Sequence, residues 1–102
     1  MSRSTSFEAE GFLQHTRGRE FAVQGHGLEN TSGMLAIRIV TDRDASDEIV
    51  ELGNKQGLKL HAAFDDAHPD LVMLEAIGLL NHVEHLAKGL GALGYHRLPE
   101  RP

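Results

Sequence analysis

The run MLAIRIVT at residues 34–41 constrains the fold more than any other part of this 102-residue chain. It is apolar and rich in β-branched residues, which predicts a strand buried on much of both faces. Acidic and cap-forming residues follow at 42–48, and an apolar face from Ile49 predicts a helix that closes near Gly57. Alternating residues at 58–64 predict a second strand. This order predicts a βαβ unit whose two strands are parallel neighbours.

The segments on either side of this unit complete the predicted fold. Residues 7–14 and 20–24 alternate around a turn at 16–19, which predicts a β-hairpin. Apolar residues recur every three or four positions after His68-Pro69-Asp70, so one long amphipathic helix is predicted, ending between residues 88 and 94. The sequence therefore predicts an α+β fold, a two-layer sandwich with a four-stranded mixed sheet in the order β-β-β-α-β-α and two helices on one face.

The length fits a single domain over residues 1–102, and we expect residues 1–5 and 96–102 to be flexible. The absence of cysteine excludes disulfides, thiolate nucleophiles and cysteine-ligated metals. No apolar run approaches the ~18 residues of a membrane-spanning helix, and the polar start lacks the apolar stretch of a signal peptide. These features predict a soluble, cytoplasmic protein that does not contact membranes.

The chain is acidic, with ten Lys and Arg against fifteen Asp and Glu and a net charge of −5. Its basic residues are scattered, whereas binding to nucleic acid requires a clustered cationic surface, so direct nucleic-acid binding is not expected. An acidic surface attracts a basic patch on another protein, and Glu51, Glu75 and Glu84 are the predicted contact residues. An open sheet with helices on one face leaves its second face uncovered. A second copy of the chain could cover that face, so a homodimer is the other predicted interaction.

Both strands of the predicted βαβ unit end in acidic residues. Asp42 and Asp44 follow the first strand, and Asp65, Asp66 and His68 follow the second. If neighbouring strands end at the same level, these side chains converge, and carboxylates with retained water are ligands that Mg²⁺ and Mn²⁺ prefer. The alternative is purely structural, because Asp44 or Ser46 can cap the first helix and Asp66 the second, while Asp42 and Asp65 serve turns.

A second candidate metal site lies in the predicted long helix. His82 and His85 are three residues apart, which places them on neighbouring sides of one helical face. His61 or Glu75 is the predicted third ligand. The alternative is that these imidazoles, like others among the seven histidines, are simply solvated.

These features favour a small non-catalytic binding or regulatory module of the inhibitor, immunity or adaptor type, acting through an acidic surface without a cofactor. No nucleophile with a placed base and no phosphate-binding loop emerges, so we do not expect an enzyme. Two alternatives remain open. One is a divalent-metal-binding protein or metal-dependent enzyme that uses the acidic strand ends with Mg²⁺ or Mn²⁺. The other is a small-ligand sensor that binds its ligand at a dimer interface.

Overall fold

The structure is a computed structural model that describes residues 18–25 and 33–99. Its elements, in chain order, are β1 (Glu20–Gly25), β2 (Met34–Asp42), α1 (Arg43–Lys55), β3 (His61–Ala63), β4 (Leu71–Leu79), α2 (Leu80–Ala92) and β5 (His96–Arg97). The α+β class and the two helices are as predicted, but the described residues form five strands rather than four. Neither helix in these ranges is long and apolar enough to cross a membrane.

The strands form one mixed sheet in the order β3-β4-β2-β1-β5. The pairs β1–β2, β2–β4 and β3–β4 are antiparallel, and only β1–β5 is parallel among the described strands. It follows that β2 and β3 run in the same direction, as predicted for the βαβ unit. The prediction that they are neighbours is wrong, because β4 lies between them and separates them by about 10 Å, or two strand spacings.

The interior strand β4 is the main departure from the predicted elements. Residues 71–79 were expected to begin the long helix, but they form a strand, and the helix starts only at Leu80. Because β4 has a neighbour on each side and buried residues on both faces, Val72 and Leu74 point toward one face and Met73 toward the other. Burial on both faces removes the alternation that identifies a strand, and the continuous apolar run then also satisfies a helical period.

Both helices pack on one face of the sheet, as predicted. Ile37 and Leu74 from the sheet, Ile49 from α1, and Leu86 and Leu90 from α2 belong to one core cluster, and each is at most 1% exposed. We call this side of the sheet the helix face and the opposite side the far face. The other strand residues of this cluster alternate along β1, β2 and β4, namely Phe21, Val23, Ile39, Val72 and Ala76. The rest come from α2 and from the chain that follows each helix.

The two helices end in the same way, which confirms the predicted role of glycine at both ends. Gly57 follows α1 and Gly94 follows α2, with φ angles of 81° and 94°. The amide of Leu58 donates to the Gly53 carbonyl, and the amide of Tyr95 donates to the Leu90 carbonyl. These six-residue closures satisfy the last helical carbonyls and return the chain to the sheet.

The outer edge of β1 is bonded to the end of the chain. The amide of His96 donates to the Arg19 carbonyl and the amide of Leu98 to the Phe21 carbonyl, at 2.9 and 2.8 Å. The first strand of the predicted hairpin, residues 7–14, lies outside the described residues.

Candidate functional site

The acidic ends of β2 and β3 lie at the same rim of the sheet. Val40 and Ala63 both pair with Met73 of β4, so the two parallel strands end at the same level. The start of β4 completes this rim, where the amide of Arg43 donates to the Asp70 carbonyl at 3.2 Å. The rim therefore exists as predicted, but an inserted strand keeps its two acidic ends apart.

Asp42, the first residue of the predicted metal cluster, has a cationic partner in the chain. Its Oδ2 accepts a hydrogen bond from Arg19 Nη2 at 3.0 Å, and this carboxylate raises the pKa of the Arg19 guanidinium. Next to it, the Arg43 guanidinium stacks 4.8 Å from the centroid of the Phe64 ring and spans the rim toward β3. Two arginines thus supply positive charge where the sequence predicted a metal ion.

Asp65 organises the loop between β3 and β4. Its Oδ1 accepts a hydrogen bond from the Ala67 amide at 3.0 Å, and its Oδ2 lies 3.0 Å from His68 Nδ1. The Ala67 amide, and secondly His68, lower the pKa of this carboxyl. The side chain is only 14% exposed. Asp65 therefore closes a local turn and fixes the His68 ring, and both its oxygens are already used.

The structure does not assemble the predicted five-residue set. Across residues 18–25 and 33–99, no three His, Asp or Glu side chains are placed to hold a metal ion. Asp65 and His68 are brought together, whereas Asp44 and Asp66 are exposed. The capping alternative is also wrong in detail. The N-caps are Asp42 and Leu79, neither with a side-chain cap bond, and the Ser46 hydroxyl donates to the Arg43 carbonyl.

The two histidines of the second candidate metal site, His82 and His85, lie in different surroundings. His82 is half-buried and its ring lies beside Gly57, whereas His85 is exposed on α2. The two residues considered as a third ligand lie on β3 and β4, where His61 pairs opposite Glu75. Glu75 Oε2 accepts a hydrogen bond from Arg38 Nε at 3.2 Å and so already has a partner.

The three glutamates predicted to bind a partner do not form one surface. Glu75 is paired with Arg38 on the far face, and its side chain is only 18% exposed. Glu84 binds the Arg97 guanidinium through both oxygens, at 3.2 and 3.3 Å. Glu51 is exposed on α1. Two of the three charges are therefore neutralised within the chain, and only Glu51 has no ion-pair partner among residues 18–25 and 33–99.

Helix α1 carries an acidic surface, of which only Asp44, as a metal ligand, and Glu51, as a contact with a partner, were predicted site residues. Asp44, Asp47, Glu48 and Glu51 stand at relative positions i, i+3, i+4 and i+7, and all four are exposed. We call these four residues the acidic stripe. Within the described part of the chain none of them forms an ion pair. The spacing of these acids, opposite the buried Ile49, was the signal available in the sequence.

A shallow groove of about 660 Å³ runs between α2 and the β1–β5 edge. Its apolar wall includes Phe21, Ala87 and Tyr95. The polar and charged side chains of Glu84, His85, Lys88 and Arg97 also line the groove, and Glu84 is paired with Arg97. The groove is wide open to solvent and has charges of both signs, so its geometry does not select one class of ligand.

The chain was also compared with known proteins. No protein-family model, no curated protein and no solved structure matches it.

Proposed function

We propose that this protein is a non-catalytic binding module that presents the acidic stripe of α1 to a basic surface on a partner protein. The observation that carries the proposal is the stripe itself, four exposed carboxylates along two turns of one helix, none of which forms an ion pair with a described residue. The Arg19 guanidinium feels the charge of Glu48, but less than that of Asp42, to which it is hydrogen-bonded. Elsewhere at the rim and on the far face, Asp42, Asp65 and Glu75 have partners within the chain.

The physical basis is the concentration of like charge on a rigid support. Ile49, on the opposite side of α1, is 1% exposed, and Gly53 lies against Leu60, so the helix is fixed on the sheet. Four aligned carboxylates produce a negative potential that accelerates encounter with a basic partner and weakens as salt is added. Helix formation brings these charges together against their mutual repulsion, and a cationic partner would relieve it.

The experiment is affinity capture from the native host with three baits at low and at high salt. The baits are the wild-type chain, the stripe variant Asp47→Lys/Glu51→Lys, and a control variant Asp66→Lys/Asp70→Lys with the same change in net charge. Asp66 and Asp70 are exposed acids in the β3–β4 loop, outside the stripe. If the proposal is correct, the wild-type chain and the control variant capture the same partner protein at low salt, and the stripe variant does not. High salt should release this partner from both.

Direct titration of the captured protein then tests the same point with purified components. The stripe variant should bind more weakly than the control variant, chiefly through a slower association rate. Retention of the same proteins by all three baits would contradict the proposal, and so would equal loss from both variants, since that would reflect net charge alone.

A further inference from the structure

The strand at one edge of the sheet, β5, is short and lies at the surface. It pairs with only two of the six residues of β1, and both of its own residues are exposed. The amide of His96 donates to the carbonyl of Arg19 at 2.9 Å. The amide of Leu98 donates to the carbonyl of Phe21 at 2.8 Å. We call residues 96–98, which these two hydrogen bonds hold on β1, the strap.

The residue before the strap is fixed in the interior. Tyr95 is buried, its hydroxyl is hydrogen-bonded to that of Thr41, and its amide donates to the Leu90 carbonyl. The strap itself is held on the outside by the ion pair between Arg97 and Glu84, whose side chains are 48% and 43% exposed. An exposed ion pair contributes little to stability, so the strap can leave β1 while Tyr95 stays in place.

The contacts of the strap show what this edge of the sheet accepts. Amides two positions apart reach carbonyls two positions apart, which is the pattern of an extended segment that runs parallel to β1. The Arg97 guanidinium meets both carboxylate oxygens of Glu84, at 3.2 and 3.3 Å. This two-pronged geometry favours arginine over lysine. The groove between α2 and this edge selects no ligand by itself, but the strap beside it does show the chemistry that fits.

Lys88 limits the charge that the site can bind. It stands four residues after Glu84 on α2 and lines the same groove. One carboxylate beside one ammonium group can hold a single guanidinium, whereas a run of basic residues would be repelled by the ammonium group. The site therefore suits an extended segment with one arginine.

We propose that the outer edge of β1, together with Glu84, binds an extended segment of a partner protein that carries one arginine, and that the strap occupies this site until such a segment displaces it. The strap is an autoinhibitory contact, because Arg97 takes the place on Glu84 that the partner's arginine needs. This site does not depend on the acidic stripe, which lies on the other helix, so either proposal can fail while the other holds.

Hydrogen exchange in the wild-type chain tests whether the strap opens on its own. The protection factors of the His96 and Leu98 amides should be at least about tenfold lower than that of the Tyr95 amide, because only the strap leaves the sheet. Glu84→Gln should lower the protection of both strap amides by a further factor of about three, the effect of losing an exposed ion pair. Asp66→Asn, which removes an exposed carboxylate elsewhere, is the control and should leave them unchanged.

A peptide added to the full chain tests what the freed edge binds. The probe is the blocked peptide Ala-Ala-His-Arg-Leu-Pro-Ala, which repeats residues 96–99, and binding is followed by chemical-shift changes at the amides of residues 19–25. Arg97→Gln should bind it about threefold more tightly than the wild type, whose own strap competes for the site. The double variant Glu84→Gln/Arg97→Gln should lose this gain, and so should a peptide with glutamine in place of arginine.

Three results would overturn the proposal. The first is equal protection of the Tyr95, His96 and Leu98 amides, since the strap would then open only with the rest of the fold. The second is a peptide affinity of Arg97→Gln that the added Glu84→Gln leaves unchanged, or the absence of any shift at β1 at millimolar peptide. The third is protection of the strap amides that rises with protein concentration, because a second copy of the chain would then be the occupant.

Discussion

The hydroxyl oxygens of Thr41 and Tyr95 lie 2.6 Å apart in the interior, 54 positions apart in the sequence. Thr41 ends the buried part of β2 and Tyr95 follows the closure of α2, so this hydrogen bond joins the central strand to the chain that follows α2. Thr41 is fully buried and Tyr95 is 7% exposed. Each hydroxyl therefore gives the other a hydrogen-bond partner, so that neither is left unpaired in the core.

Removing both of these hydroxyls should destabilise the protein by less than the sum of the two single removals. Tyr95→Phe leaves the Thr41 hydroxyl buried and unpaired, and we expect a loss of about 1–3 kcal/mol in the free energy of unfolding. In the double variant Tyr95→Phe/Thr41→Val the loss should be smaller than the sum of the two single losses. Urea unfolding of the four proteins measures this, and strictly additive losses would show that the two hydroxyls do not interact.

Gly78 allows β4 to approach the Leu58 side chain. A Cβ on Gly78 would lie 2.3 Å from Leu58 Cδ2, and Leu58 is 3% exposed and has little room to move. Gly78→Ala should therefore destabilise the fold by about 1–3 kcal/mol through overpacking. The same substitution in a Leu58→Ala background should cost less. An equal cost in both backgrounds, measured by chemical denaturation, would contradict this contact.

In contrast to Gly78, Gly91 is a position where replacement by alanine should stabilise the protein. It lies in α2, is exposed, and a Cβ there would meet no atom within 4 Å. Gly91→Ala should raise stability by about 0.5–1 kcal/mol, because glycine is a poor helix former. The midpoint of thermal unfolding should rise by about 2–6 °C. A lower midpoint would mean that the helix near residue 91 needs a glycine.

Local signals were predictable from the sequence, and distant pairings were not. Residues 34–41 and the helix that ends at Gly57 follow from short-range patterns, and the structure contains both. The position of β4 depends on its pairing with β2, whose residues lie 29 to 45 positions earlier in the sequence. Burial on both faces of β4 also hides its strand period. The α+β class could therefore be predicted, whereas the strand order and the fifth strand could not.

The candidate site shows the same difference between contacts that are local in the sequence and contacts that are distant. Asp65 and His68 are three residues apart, and the sequence placed them together at the end of β3. The Arg19–Asp42 pair joins residues 23 positions apart and depends on the sheet order, so it could not be predicted. The inserted strand separates the acids, and Arg19 and Arg43 lie where the predicted ion was expected.

These pairings also predict the response to divalent cations. Because Asp42 and Asp65 already have partners at the rim, Mg²⁺ or Mn²⁺ should not change the thermal midpoint beyond the effect of ionic strength alone. The comparison uses sodium chloride at matched ionic strength. A rise in the midpoint that saturates with one ion and disappears in Asp65→Ala would instead support a metal site at the rim.

Acid unfolding should depend on Asp65. The Ala67 amide and His68 lower the pKa of this carboxyl in the folded protein, so folding favours its ionised form. The resulting stabilisation is present above the unfolded pKa of about 3.9 and is lost as the pH falls through the lowered folded value. Asp65→Asn should therefore lower stability at pH 6 and differ less from the wild type near pH 2. Thermal unfolding over this range checks the effect, with Asp66→Asn as the neighbouring control, and a constant difference at every pH would contradict it.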